Sequence, residues 1–202
     1  MEYQSAGSYF TGMARALADL SRSRVESIAD ALFGAYNDSR TTFLFGNGGS
    51  ASLATHFACD LGKGTSDLNS DRRRFRVLSL TDNVPVLTAL ANDCGYESIF
   101  AEQLKNLAQP GDLAFAISCS GNSPNILKAL TVARDIGVST IGLGGFQGGR
   151  MKALCDLCLI VPSDNMQIIE DLHLSVAHCL FTLLRGRIEA LDAHKMAAVG
   201  AQ

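Results

Sequence analysis

The chain has 202 residues, of which 47% are hydrophobic and 18% are charged. This length and composition are typical of one globular domain with a sizeable core. The formal net charge of -3 and the sequence pI near 5.8 provide no basic field, which excludes proteins that bind nucleic acid or anionic membranes through electrostatic attraction.

The first segment of the chain is predicted to be helical. From Tyr9 to Tyr36, apolar residues recur mostly three to five positions apart, which indicates one or two amphipathic helices that cover a sheet or a partner subunit. The N-terminus lacks a basic segment followed by an apolar run, and no apolar stretch reaches the roughly 18 residues that span a bilayer. We therefore expect a cytoplasmic protein without a membrane segment.

Five short apolar runs follow, and each leads through glycine or polar residues into a helical pattern. They span residues 41–46, 75–80, 112–118, 139–144 and 156–161. Near-continuous apolar strands are buried on both faces, so the pattern predicts a mainly parallel sheet that is wrapped by helices. The last helical pattern covers Met166 to Asp192. We predict a single domain over residues 1–202, with an N-terminal helical segment at about 8–37 and an α/β core at about 41–192.

Two strand-to-helix loops are rich in glycine and serine. The first reads GNGGSAS at 46–52 and precedes a helix that is predicted to begin near Ser50, and the second reads SCSGNS at 118–123. Glycine lets the backbone approach a ligand closely, and the free N–H groups of a helix start favour an anion. Neither loop is a Walker A motif or a GxGxxG motif with its downstream acid, which disfavours a nucleotide. Three hydroxyls without a lysine suit a phosphate monoester.

Each loop alone also fits a turn with helix-capping residues. Two such loops in one chain favour a ligand site, because the carboxyl ends of parallel strands meet at one edge of the sheet. We therefore predict that both loops converge on one phosphate group.

Two local patterns are interpreted as structural. Arg72, Arg73 and Arg74 form the only basic run and follow a polar stretch, which is typical of a solvated loop, with a ligand clamp as the alternative. Cys155 and Cys158 form a CxxC in a strand-like run, without the second pair of a zinc ribbon or the helix start of a redox site. The six cysteines have no regular spacing, so we interpret them as buried thiols in a reducing compartment.

Histidine and carboxylate residues are paired on two predicted helices. His56 and Asp60 are four positions apart, so both side chains leave one face of the helix after the first loop. Glu170 and His178 are eight positions apart, slightly more than two turns, and share a face of the last helix. Such spacing can chelate a metal, although taken alone it is more often a surface pair or a satisfied polar group of the core.

Four segments carry a family resemblance. They are GNGGSA at 46–51, LTALANDCGYE at 87–97, ISCSGNSPNILKAL at 117–130 and GGRMKALCDLCLIVPS at 148–163. Within about Phe43 to Leu184, these segments in this order resemble the sugar-isomerase (SIS) domain family, specifically bacterial phosphoheptose isomerases. The resemblance implies an α/β fold, a three-layer αβα sandwich whose five-stranded parallel sheet is flavodoxin-like, and a homotetramer.

The resemblance also implies a site. Its phosphate-binding positions are Ser118, Ser120 and Ser123, and its sugar-contacting positions are Asn47, Gly48, Ser50 and Asp93. Its metal ligands fall on His56, Asp60, Glu170 and His178. Two imidazoles and two carboxylates suit one Zn²⁺ per subunit, and Fe²⁺ or Mn²⁺ remain open.

Several positions depart from the family pattern. Asp60 stands where the family has glutamate, and Glu170 stands where it has glutamine. The shorter Asp60 side chain moves its carboxylate by about 1 Å, which can cost about a hundredfold in rate. We interpret the two substitutions together as a redistribution of carboxylate groups within the site. Asp60 remains a ligand or base, and Glu170 adds a negative charge. Gly64 stands where relatives commonly have an arginine, and Lys63 is one residue earlier. Cys119 stands where the family usually has a threonine, and we interpret it as a residue that supplies backbone contacts.

The implied function is aldose-ketose isomerisation of a sugar phosphate. The resemblance predicts conversion of sedoheptulose 7-phosphate to D-glycero-D-manno-heptose 7-phosphate through an enediol, with Asp60 and His178 as the catalytic residues. One alternative is a noncatalytic SIS module that binds a phosphosugar or associates with a replication initiator. The family member that associates with the replication initiator lacks the metal-binding histidine of the last helix. This chain has that histidine, His178, which favours the enzyme. Another alternative is an isomerase of a different ketose phosphate.

Overall fold

The computed structural model describes residues 4–67 and 72–199, with side chains up to residue 193. The helices are α1 (Ala6–Ala18), α2 (Arg22–Asn37), α3 (Gly49–Cys59), α4 (Val84–Cys94), α5 (Ile99–Leu107), α6 (Pro124–Asp135) and α7 (Met166–Val199). The strands are β1 (Thr42–Gly46), β2 (Val77–Ser79), β3 (Leu113–Ser118), β4 (Ser139–Gly144) and β5 (Leu157–Ile160). These elements confirm the predicted helical N-terminal segment and all five predicted strands.

The five strands form one sheet in the order β2-β1-β3-β4-β5, and every neighbouring pair is parallel. This order confirms the predicted flavodoxin-like α/β fold. The chain moves outward from β1 to β2 and then returns to place β3 on the other side of β1. Crevices that bind ligands form at such a reversal, beyond the carboxyl ends of the strands.

Helices cover both faces of the sheet, and the residues of β3 show why. Leu113, Phe115 and Ile117 pack with α1, α2, α3 and α7, whereas Ala114 and Ala116 pack with α4, α5 and α6. Successive side chains of a strand point to opposite faces, so a strand that is apolar throughout supplies both cores. The N-terminal helices share a core with α7.

The α7 helix extends beyond the predicted segment and joins the main core along one stripe. Ile168, Leu172, Val176 and Leu180 are buried within it. Within residues 4–67 and 72–199, no helix is both long and apolar enough to cross a membrane.

The interpretation of the basic run as a solvated loop agrees with the exposure of Arg73 and Arg74, whereas Arg72 is partly buried. Arg72 Nε lies 2.5 Å from Asp192 Oδ2. Arg73 donates to the carbonyl oxygens of Tyr36, at 3.2 Å, and Asn37. A cation is favourable at the carbonyl end of a helix, so Arg73 stabilises the end of α2. Arg72 connects the same segment to a late turn of α7 through its ion pair with Asp192. The part of the polar stretch at 68–71 lies outside the described residues.

The CxxC cysteines have the environment expected of structural residues. Cys155 and Cys158 are free thiols of intermediate exposure. The wider interpretation of the six cysteines as buried thiols is wrong, because three of them are exposed and only Cys119 is buried. A Cβ on Gly142 of the neighbouring β4 would lie 2.8 and 3.1 Å from their two sulfur atoms. The thiols therefore fill the space that the missing side chain leaves.

His173 fixes α7 to the end of β4. Its side chain is buried, with 1% of the residue exposed, and its Nε2 lies 3.0 Å from the Gly144 carbonyl oxygen. A carbonyl only accepts, so Nε2 carries the proton and the ring is the neutral tautomer with a bare Nδ1. Burial lowers the pKa of His173 to about 4, against the opposing effect of the hydrogen bond to Gly144.

This depressed pKa predicts a loss of stability in acid. The unfolded chain takes up the His173 proton near pH 6.5 and the folded chain only near pH 4, so the stabilisation is complete above pH 6.5 and is lost as the pH falls towards 4. Between pH 7 and pH 4 we expect His173 to account for about 3 kcal/mol of the decrease in the free energy of unfolding. Urea unfolding of the parent and of His173→Gln, which keeps an N–H donor but does not titrate, measures this difference. Equal acid sensitivity of the two proteins would contradict the assignment.

Candidate functional site

The two predicted anion loops open onto one small cavity. β1 and β3 are neighbours, and Gly46 at the end of β1 pairs with Ile117, so the loops leave the sheet side by side. The cavity, which we call the serine cavity, has a volume of about 150 Å³. Its lining residues are Asn47, Ser50, Ile117, Ser118, Cys119, Ser120, Ser123, Met166 and Glu170. The structure therefore brings Ser50 and Ser120 to the same space.

Close backbone contacts hold the two loops in place. A Cβ on Gly46 would lie 2.7 Å from Ser50 Cβ, so only glycine lets α3 return this closely to its strand. Gly121 has φ +60 and touches the loop after β4, where a Cβ would lie 2.1 Å from the Gly148 carbonyl oxygen. The loop after β3 thus depends on a residue without a side chain at position 121.

The serine hydroxyls of the second loop are oriented by its own backbone. Ser118 Oγ accepts a hydrogen bond from Gly121 N–H, and Ser120 Oγ accepts one from Asn122 N–H, both at 3.2 Å. Each hydroxyl keeps its own proton to donate into the cavity. Ser123 precedes α6 without making a side-chain cap, which leaves its hydroxyl at the cavity wall.

Asn47 connects the two loops through residues that the sequence interpretation missed. Its Oδ1 accepts hydrogen bonds from Asn125 Nδ2 at 2.8 Å and from the Tyr96 hydroxyl at 3.0 Å. Its Nδ2 donates to Asn125 Oδ1 at 2.9 Å. Asn125 stands two positions after Ser123 and is buried, with 2% of the residue exposed. A buried amide needs hydrogen-bond partners, but the sequence alone does not show that Asn125 is buried.

The two other sugar-contacting residues implied by the resemblance are Gly48 and Asp93. Gly48 is the N-cap of α3 with φ +56, a conformation that favours glycine. Asp93 lies exposed near the end of α4, where its Oδ1 accepts from Asn92, and it lines neither the serine cavity nor the neighbouring cavity described below.

Three of the four implied metal ligands form a cluster between α3 and α7. His56 Nε2 lies 3.0 Å from His178 Nε2 and 3.3 Å from Asp60 Oδ2, and His178 Nε2 lies 3.9 Å from the same oxygen. Ligands bound at 2.0–2.1 Å around a tetrahedral ion are about 3.3 Å apart, so this spacing and donor set fit a divalent metal. Asp60 also begins a π-helical turn, Asp60–Gly64, which is an irregularity common at functional sites.

Glu170 stands apart from the three-residue cluster and between two cavities. Its Oε1 lies 3.9 Å from Cys119 Sγ in the serine cavity. It also lines a second cavity of about 280 Å³, which we call the histidine cavity. The lining residues of the histidine cavity are Gly49, Ser50, Ser52, Leu53, His56, Glu170, Asp171, His173 and Leu174. The serine cavity, Glu170 and the candidate metal-ligating cluster of His56, Asp60 and His178 therefore adjoin one another.

Cys119 remains a thiol in this environment. Burial, followed by the negative charge of Glu170, raises the pKa of Cys119 to about 11. A protonated thiol is a poor nucleophile, so the environment favours the interpretation of Cys119 as a residue of the loop backbone.

The position that carries arginine in the resemblance is closed by an aromatic ring. A Cβ on Gly64 would lie 2.7 Å from the Phe181 ring, so a side chain there would require Phe181 to move. The Arg185 guanidinium lies 5.3 Å from the centre of that ring, whereas Lys63 is exposed. α7 thus supplies both the ring and a cation beside this turn.

This fold and site define an α/β domain of the kind that binds phosphosugars at the switch point of a parallel sheet. A family model described as "SIS domain" matches residues 8–145, and the chain belongs to this family. Within it, the relatives that the chain resembles are phosphoheptose isomerases. One from Trichlorobacter lovleyi is 41% identical over 79% of this chain and 80% of the relative, and one from Helicobacter pylori is 47% identical over 67% and 69%. The structure of a phosphoheptose isomerase from Francisella tularensis superposes with a TM-score of 0.83 at 30% identity, covering 89% of this chain and 96% of that chain.

The close approach at Gly121 predicts a large effect of a single methyl group. Gly121→Ala adds a side chain at positive φ and against the Gly148 carbonyl, so we expect the free energy of unfolding to fall by about 3 kcal/mol. Gly186→Ala is the control, because Gly186 lies in α7 with nothing within 4 Å of the added carbon. It should stabilise the protein by about 0.5–1 kcal/mol. Urea unfolding measures both values, and a Gly121→Ala protein as stable as the parent would refute the described loop contact.

Proposed function

We propose that the chain is a sugar-phosphate isomerase that converts sedoheptulose 7-phosphate into D-glycero-D-manno-heptose 7-phosphate. The observation that carries this proposal is the adjacency of a hydroxyl-lined cavity of phosphate size and a histidine–carboxylate cluster. The names of the curated relatives support the choice of a phosphorylated heptose. The proposed substrate is therefore held at its phosphate end and reacts at its carbonyl end.

In the proposed complex, the phosphate lies in the serine cavity. The hydroxyls of Ser118, Ser120 and Ser123 donate to its oxygens, together with backbone N–H groups at the start of α6. The sugar extends past Asn47 and Ser50, whose positions are set by the loop after β1. Gly48 and Asp93 remain proposed sugar contacts on the strength of the resemblance.

The cluster residues supply the proposed proton transfers. Asp60 removes a proton from the hydroxyl-bearing carbon beside the ketone, and the ketone oxygen takes up a proton, which gives the enediol. His178 then returns a proton to the former ketone carbon, and the hydroxyl group on the first carbon loses its proton as that carbon becomes the aldehyde. The two groups lie 3.9 Å apart, a separation that lets both reach adjacent carbons of one substrate.

The cluster also supports a divalent metal. We propose one Zn²⁺ per subunit, held by His56, Asp60 and His178 with Glu170 as a further ligand, while Fe²⁺ and Mn²⁺ suit the same donors. An imidazole that binds the ion through one nitrogen keeps its proton on the other, so in the metal-loaded protein that other nitrogen of His178 would return the proton. When bound, such an ion stabilises negative charge on the sugar oxygens during proton transfer.

We further propose that the protein is a cytoplasmic homotetramer. An apolar groove of about 430 Å³ lies between α2 and α7, and Leu17 at its edge is 49% exposed. Phe10, also on α1, is 59% exposed. Apolar side chains exposed along a helix are typical of surfaces that subunits cover. The six cysteines are free thiols, as a reducing compartment requires.

The isomerase proposal predicts solvent hydrogen exchange into the sugar. In deuterated water, the protein should convert sedoheptulose 7-phosphate and leave deuterium in the recovered sugar, as measured by mass spectrometry. Asp60→Asn and His178→Ala should each lower the rate at least about a hundredfold, because each removes a proton-transfer group. Cys59→Ser, one position before Asp60 and exposed, should match the parent.

A panel of other ketose phosphates in the same experiment separates the alternatives. Faster exchange with a different ketose would replace the proposed substrate. Absence of exchange with every ketose phosphate, together with measurable binding, would favour the noncatalytic module.

The metal proposal predicts a defined stoichiometry. Calorimetric titration of the chelator-treated protein should give about one Zn²⁺ per chain, and His56→Ala should weaken binding at least about tenfold. Cys59→Ser is the control, since it changes an exposed thiol next to Asp60 that is outside the cluster and should leave the stoichiometry and affinity unchanged. Equal zinc binding by His56→Ala and the parent would exclude the cluster as the metal site.

A further inference from the structure

Glu170 is placed where its charge acts on both halves of the site. It lines the serine cavity and also the histidine cavity, which it shares with His56 of the metal-ligating cluster. Ser50 is the other residue that lines both. The charge of Glu170 is therefore close to a ligand in either cavity.

The Glu170 carboxylate lies where a ligand anion would be attracted. Its two oxygens lie 3.1 and 3.2 Å from the position of a Cβ on Gly49, the first residue of α3. The first turn of a helix favours a negative charge through its N–H groups. Gly49 has no side chain to keep the carboxylate away, so Glu170 competes with a bound phosphate for this attraction.

No basic side chain of the lining offsets this negative charge. Among the described residues that line the two cavities, none is a lysine or an arginine, and Asp171, the other carboxylate, lines only the histidine cavity and accepts from the Tyr9 hydroxyl. The buried His173 is neutral at pH 7 because burial lowers its pKa to about 4. A cation at the neighbouring cluster would supply the compensating positive charge.

We propose that Glu170 makes binding of the phosphosugar dependent on a bound divalent cation. This inference rests on the proposed function and adds an order of binding to it. Without the cation, the carboxylate repels the phosphate dianion across the shared cavity wall. With the cation in the cluster, the charge of Glu170 is offset and the phosphate binds to the serine hydroxyls. Linkage then requires the phosphosugar to strengthen cation binding by the same factor.

The test is a binding measurement that does not depend on turnover. The probe is the alditol 7-phosphate obtained by reducing sedoheptulose 7-phosphate, which carries the phosphate but cannot isomerise. Calorimetry compares chelator-treated and Zn²⁺-loaded protein for the parent, for Glu170→Gln and for Asp171→Asn. The Glu170→Gln side chain keeps the size and loses the charge. Asp171→Asn removes the same charge from the adjacent position, where the carboxylate accepts from the Tyr9 hydroxyl at 2.5 Å.

The expected result is specific to Glu170. The parent should bind the probe at least about tenfold more tightly with Zn²⁺ than without it. Metal-free Glu170→Gln should bind about tenfold more tightly than the metal-free parent, and Asp171→Asn should keep the parent's dependence on Zn²⁺. No gain in metal-free Glu170→Gln, or an equal gain in Asp171→Asn, would overturn the inference.

Failure of the inference is distinguishable from failure of the proposed function. Tight binding by every form with and without Zn²⁺ would overturn only the role of Glu170, since the phosphate site itself would be intact. No binding by any form under either condition would overturn both.

Discussion

The site depends on the adjacency of β1 and β3 at the reversal of strand order. This adjacency sets two glycine- and serine-rich loops side by side, so that hydroxyls and helix-start amides from both face one cavity. Gly46 and Gly121 make the approach possible, because a side chain at either would meet neighbouring atoms at less than 3 Å. Asn47 and Asn125 then tie the loops together with reciprocal amide hydrogen bonds. The fold thus provides a preorganised cavity lined by hydroxyl and amide groups, with no basic side chain among the described residues of its lining.

A second constraint is the packing of α7 on α3. It brings His178 within 3.0 Å of His56 and sets the Phe181 ring against the glycine at position 64. The same helix carries Glu170 to the serine cavity and anchors itself to β4 through His173. One helix therefore contributes to the three-residue cluster, to the serine cavity and to the core, so that the cluster and the cavity lie close together.

Much of this arrangement was predictable from local sequence patterns. Short apolar runs predicted the parallel strands, and the two loops predicted an anion site at the carboxyl ends of those strands. The spacing of His56 and Asp60 predicted that both side chains lie on one face of a helix. Other features were not predictable in this way. The hydrogen bonds of Asn47 to Tyr96 and the ion pair of Arg72 with Asp192 join residues far apart in sequence, and nothing in their local pattern names the partner.

The sequence by itself determined the kind of elements and the chemistry that each loop offers, because strand and helix periodicity and glycine conformations are local properties of the chain. Tertiary structure alone decided how these elements meet. His56 and His178 are separated by 122 positions, and only the packing of their helices brings the two rings together. Packing also placed Glu170 between the two cavities instead of within the three-residue cluster. The distance between side chains on different helices depends on how the core between them packs, and no spacing along one helix specifies it.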